Sequence, residues 1–111
     1  MKWFVIKAQL ELIKIGWGNG YVAVPPSHFL WGMEYDDINH LVDVHYGLTF
    51  ADKIDSGSHI FKKYAPEGYW VFGFDTAHYD DSLEKWPKEA VEAETKKLLT
   101  QIFELDMGEL F

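Results

Sequence analysis

A chain of 111 residues with 48% apolar and 17% aromatic residues suits one domain, residues 1–111, with a real core. It has no cysteine, which excludes a disulfide framework, a thiol nucleophile and a thiolate metal site. The net charge is −8 and all ten basic residues are lysines, so there is neither the basic face nor the arginine fork that nucleic-acid binding calls for.

The N-terminal run "MKWFVIKAQLELIKI" is broken by Lys7, Gln9, Glu11 and Lys14, and reads as neither a signal peptide nor a membrane span. A soluble, intracellular (cytoplasmic) protein with no membrane partner is expected. Residues 8–15 set Leu10 and Leu12 on one side and Glu11 on the other, as in a strand with a bulge near Ile13. "GWGNG" then reads as a hairpin turn into a second strand, "YVAV", which Pro25 and Pro26 end because proline cannot donate to a ladder. Residues 27–40 read as irregular, with a short helical turn near Glu34–Asn39.

Residues 41–52, "LVDVHYGLTFAD", show the clearest alternation in the chain. As a strand, one face holds Val42, Val44, Tyr46, Leu48 and Phe50, and the other Asp43, His45, Gly47 and Thr49. Residues 53–68 read as a polar loop. "YWVFGFD", residues 69–75, is apolar on both sides, as a central strand would be. In residues 87–105 Pro87 suits a helix start, and Val91, Thr95, Leu98, Ile102 and Leu105 recur at helical spacing. The elements predict an α+β fold in two layers: an antiparallel or mixed sheet with one long C-terminal helix packed on one face.

The strand at 69–75 runs into "GFDTAHYDD", which carries Asp75, His78, Asp80 and Asp81. If it neighbours residues 41–52, Gly47 and Gly73 leave a shallow floor on the face away from the helix. His45, Thr49, Asp75 and His78 would ring that floor, with His28 reaching it from its loop. Each has a plain structural alternative. Asp75 caps a turn, His28 packs its loop, His78 is a surface histidine, and Asp80 and Asp81 open the next helical segment. His40 and His59 read as surface residues.

The blocks "GYVAVPPSHFLWGMEYDDI", "DVHYGLTFAD" and "GYWVFGFDTAHYDD", followed by a C-terminal helix, resemble a family of small uncharacterised proteins from phages, prophages and bacteria. The pattern is approximately G-Y-V-x-V-P-x-x-H, then V-H-G-G-L-T-[FY], then G-F-D-x-A-H. Tyr46 stands where the family has glycine, and Thr76 where it often has cysteine. The resemblance implies a shared fold and site and carries no reaction with it.

A binding protein for a small polar or nucleotide-like ligand is the leading expectation, with His28, His45, Thr49, Asp75 and His78 supplying the polar contacts. A small hydrolase is the alternative, with His45, His78 and Asp75 as its catalytic groups. A protein-interaction or inhibitor module is the third. No cofactor is called for, and a divalent metal would draw on His45, Asp75 and His78.

Overall fold

The computed structural model describes residues 1–9 and 15–109. Four strands form one antiparallel sheet: β1 (Lys2–Lys7), β2 (Gly18–Val24), β3 (Phe50–Lys53) and β4 (Trp70–Phe74), in the spatial order β1-β2-β4-β3. A short helix α1 (Tyr35–Ile38) and one 3-10 turn (Asn39–Leu41) precede β3, and a second 3-10 turn (Phe61–Lys63) follows it. The chain ends in α2 (Lys88–Glu109), which packs on β1 and β2. This is the α+β architecture the periodicities predict. No described helix is long and apolar enough to cross a membrane.

Strand alternation sorts the core into two parts. Val22 and Val24 of β2 and Phe72 and Phe74 of β4 turn toward α2 and meet Val91, Leu98 and Ile102, all essentially fully buried. Thr95, at the same helical spacing, is also buried and returns its hydroxyl to the Val91 carbonyl at 2.7 Å. The opposite face carries Phe4, Tyr21, Ala23 and Val71, covered by Ile54, Phe61 and Ala65 from the segment between β3 and β4. That face is filled with aromatic side chains and offers no floor to a ligand. Gly73 serves Tyr21 instead: a Cβ there would come within 2.6 Å of the Tyr21 ring.

Three expectations need correction. The first described strand is Lys2–Lys7; Ala8, Gln9 and Ile15 of the expected strand are not in one, and its residues 10–14 lie outside the described residues. "GWGNG" is not the hairpin turn: Gly18, Asn19 and Gly20 are already in β2, where Gly18 faces Lys7 and Gly20 faces Val5. Residues 41–52 are not one strand. The chain reverses at Tyr46 and Gly47, whose φ angles are 57° and 80°, and Gly47 N–H closes a turn onto the Val44 carbonyl at 2.8 Å. Val44 and Leu48 are buried against the helix side as expected, and Val42 is partly buried there. Tyr46 is exposed, and Phe50 joins the opposite cluster.

Gly20 sits where α2 crosses β2, and a Cβ there would lie 2.0 Å from Thr95 Oγ1 and 2.5 Å from the Phe74 ring. Gly20→Ala should therefore destabilise by about 1–3 kcal/mol through overpacking. Leu98→Ala, at a fully buried position, should cost about 2–5 kcal/mol, and Tyr79→Ala, fully exposed, under about 0.5 kcal/mol. Denaturant unfolding of the three variants checks the layer assignment. Equal stabilities for Leu98→Ala and Tyr79→Ala would contradict it.

Candidate functional site

Polar groups converge beyond the end of β4, at the margin between the sheet and α2. The strands explain how two of them meet. Pairing of Phe50 with Gly73 brings Thr49 alongside β4, where its N–H donates to the Gly73 carbonyl at 2.9 Å. Its hydroxyl then donates to Asp75 Oδ2 at 3.1 Å. Asp75 Oδ1 accepts from the Ala77 amide at 3.1 Å, so Asp75 does cap a turn as well.

The helix places His45. Glu94 accepts the His45 backbone N–H at 2.7 Å, while Gln101 clasps the Asp43 backbone from both sides, accepting its N–H at 2.6 Å and donating to its carbonyl at 2.8 Å. With its backbone held, His45 puts Nε2 2.7 Å from Asp81 Oδ1. The Asp81 side chain is only 2% exposed, and its second oxygen accepts the His78 backbone N–H at 2.8 Å. A buried carboxylate must have its lone pairs met, and here both oxygens are engaged.

His78 differs. Its Nε2 is buried, lies 3.1 Å from Asp75 Oδ1, and yet makes no hydrogen bond, because the approach is misaligned. Among the described residues it is the buried side-chain nitrogen or oxygen left without a hydrogen bond. The rings around it are fixed by stacking. Tyr46 lies on His78 at 4.0 Å and 14°, His45 meets His78 edge-on at 5.5 Å, and Trp86 packs on His45 at 4.1 Å.

His45, His78 and Asp81 each offer a ligand atom, and the three atoms lie within 4.8 Å of one another. Two imidazoles and a carboxylate are a donor set for zinc-class divalent ions. The structure thus links His45, Thr49, Asp75 and His78 through successive contacts, with His45 tied to α2 through Glu94, and not around an open floor on the face away from the helix. It corrects the expected metal trio, setting Asp81 beside the histidines where Asp75 was named. Asp81 was legible only as the acid three residues after His78, a spacing that a turn produces as readily as a site.

His28 is not part of this group. It is buried, with Nε2 3.3 Å from the Ile102 carbonyl and Nδ1 accepting the Leu30 amide at 3.1 Å, so both ring nitrogens are used in tying its loop to α2. His40 and His59 are exposed, as expected.

The rim carries one further pair. The Tyr46 hydroxyl donates to Asp80 Oδ1 at 2.5 Å. That bond holds the Tyr46 phenol above its ordinary range, assisted by partial desolvation and by the charges of Asp80 and Asp81. It likewise holds the Asp80 carboxyl below its ordinary range, with smaller help from Lys85 and His45. No family model, curated protein or solved structure matches this chain.

Deprotonation of Tyr46 would forfeit its bond to Asp80, so the phenol should titrate above the usual value of about 10. Ultraviolet titration of wild type against Tyr46→Phe isolates that phenol. Asp80→Asn should bring its midpoint down, and a midpoint unmoved by Asp80→Asn would mean the bond does not persist in solution. Gly47→Ala, at φ 80°, should cost about 1 kcal/mol in unfolding experiments.

Proposed function

We propose that this protein binds a small polar ligand at the margin formed by His45, Thr49, Asp75, His78 and Asp81. The observation that carries the reading is the buried Nε2 of His78, which touches Asp75 Oδ1 at 3.1 Å without an aligned hydrogen bond and is held by the Tyr46 ring among other donors and acceptors. A buried polar atom left with no partner at all costs about 1–3 kcal/mol, a misaligned contact costs part of that, and a ligand that supplies an aligned partner recovers the cost on binding. Tyr46 and Tyr79 are exposed, and Tyr79 follows His78 directly in the chain. They provide aromatic surface for a base or sugar ring, which makes a nucleotide-like ligand the leading class. The resemblance to phage and bacterial proteins supports the same residues, since His45 and Thr49 come from its second block and Asp75 and His78 from its third.

One observation favours hydrolysis as the second reading. A buried Asp81 on His45 Nε2 is the arrangement that orients an imidazole for general-base work. In that case His45 takes the proton of an attacking water, and Asp81 steadies the ring.

A thermal-shift screen with nucleotides, sugar phosphates and other small polar metabolites tests the ligand reading. It should yield a stabilising compound whose effect disappears in His78→Ala and weakens in Asp75→Asn. Turnover of that compound, lost in His45→Ala, would add catalysis. A stabiliser unaffected by His78→Ala would place the ligand elsewhere and refute this assignment.

A further inference from the structure

We propose that His45, His78 and Asp81 form a binding site for a divalent transition metal of the zinc class, and that the small ligand is held through this ion. The metal site stands on its own geometry, while the ion's part in ligand binding rests on the ligand reading above.

Charge is the first argument. The acids gathered here are Asp75, Asp80, Asp81 and Glu94, and the lysines that touch them are Lys85, on the Asp80 carbonyl at 3.2 Å, and Lys97, on Glu94 at 3.2 Å. Four carboxylates against two ammonium groups make a place that repels phosphates and attracts cations. A nucleotide-like ligand therefore needs a positive charge between its phosphates and this surface. Lysine would serve poorly, since Lys85 is engaged by the Asp80 carbonyl and Lys97 by Glu94. A divalent ion on two imidazoles and a carboxylate would serve well.

Geometry is the second. Zinc bonds to nitrogen and oxygen run about 2.0–2.1 Å, so tetrahedral ligand atoms stand about 3.3 Å apart. His45 Nε2 and Asp81 Oδ1 are at 2.7 Å, and all three ligand atoms fall within 4.8 Å. The required separation lies between these values, within reach of small side-chain rotations. Supporting contacts are already in place. The His78 amide holds the far oxygen of Asp81, Glu94 holds the His45 backbone, and Tyr46 and Trp86 fix the two rings. Such supports orient metal ligands and raise affinity. Three protein ligands leave the fourth position to water or to an anionic oxygen of the ligand, as an open metal site does.

The test is isothermal titration of chelator-treated full-length protein with Zn²⁺, checked by the visible spectrum of the Co²⁺ form. One ion per chain is expected, with the absorption of tetrahedral cobalt. His45→Ala and His78→Ala should each weaken binding by at least the ~10–100-fold that follows loss of a metal ligand's support. His40→Ala and His59→Ala should leave it unchanged. Asp81→Asn keeps an oxygen to accept the His78 amide and turns its NH2 donor toward His45 Nε2, so it should fold, as far-UV circular dichroism would check, yet also bind weakly. Absence of Zn²⁺ binding, or binding that survives His45→Ala and His78→Ala, overturns the metal site. The small-ligand screen repeated in chelator and in Zn²⁺ separates the two readings. A ligand that binds equally well in both, and is lost in His78→Ala, keeps the ligand site and overturns the ion's part in it.

Discussion

The close approach of α2 to β2 at Gly20 fixes where everything else on the helix can reach. Thr95 lies against the bare backbone of Gly20, with the Phe74 ring beside it. That seat sets both the height and the rotation of the helix. Glu94, the adjacent residue, then meets the His45 amide, and Gln101, two turns on, meets Asp43. The loop that carries His45 has no strand to hold it, so these helix side chains supply its positioning. A larger residue at Gly20 would move the helix and, with it, one half of the site.

Asp81 joins the other half. Its carboxylate is nearly sealed from water, and it bonds a ring nitrogen on one loop and a backbone amide on the other. Burying a lone carboxylate is costly unless its lone pairs are met, so the loops 43–49 and 75–81 are held in register by the same interaction that satisfies the acid. The arrangement leaves His78 Nε2 out, 3.1 Å from Asp75 but badly aimed. Among the described residues, this is the one buried polar side-chain atom that the network leaves without a hydrogen bond.

Parts of this were legible in the sequence for physical reasons. The helix was, because Val91, Thr95, Leu98 and Ile102 repeat at 3.6 residues and all face one sheet. So was β4, because a strand covered on both faces is apolar throughout. Residues 41–52 misled because alternation has two origins. Val44 and Leu48 are buried four residues apart in a loop that doubles back, and the intervening Tyr46 mimics the pattern while pointing to solvent. Nothing in the letters announces a tyrosine at positive φ, a conformation that side chains avoid unless tertiary contacts impose it. The site residues still met, because the pairing of β3 with β4 depends on Phe50 and Gly73 and not on the conformation of residues 41–48.

His28 and His78, which the sequence treats alike, differ in how the fold engages their ring nitrogens. Each follows a short loop motif and each has a neighbouring aromatic ring, Phe29 for one and Tyr46 for the other. His28 is almost wholly buried, and both its nitrogens have backbone partners, so it can offer nothing to a ligand without breaking a contact that holds the fold. His78 is partly exposed, rests on a ring that limits its motion, and keeps one nitrogen without a hydrogen bond, in misaligned contact with Asp75. Hydrogen-bond satisfaction, a property of the folded backbone around each ring, therefore sets the two apart. It also explains why the acid missing from the expected set was Asp81. A residue whose oxygens are both committed inside the fold gives the sequence no sign of the two histidines it meets.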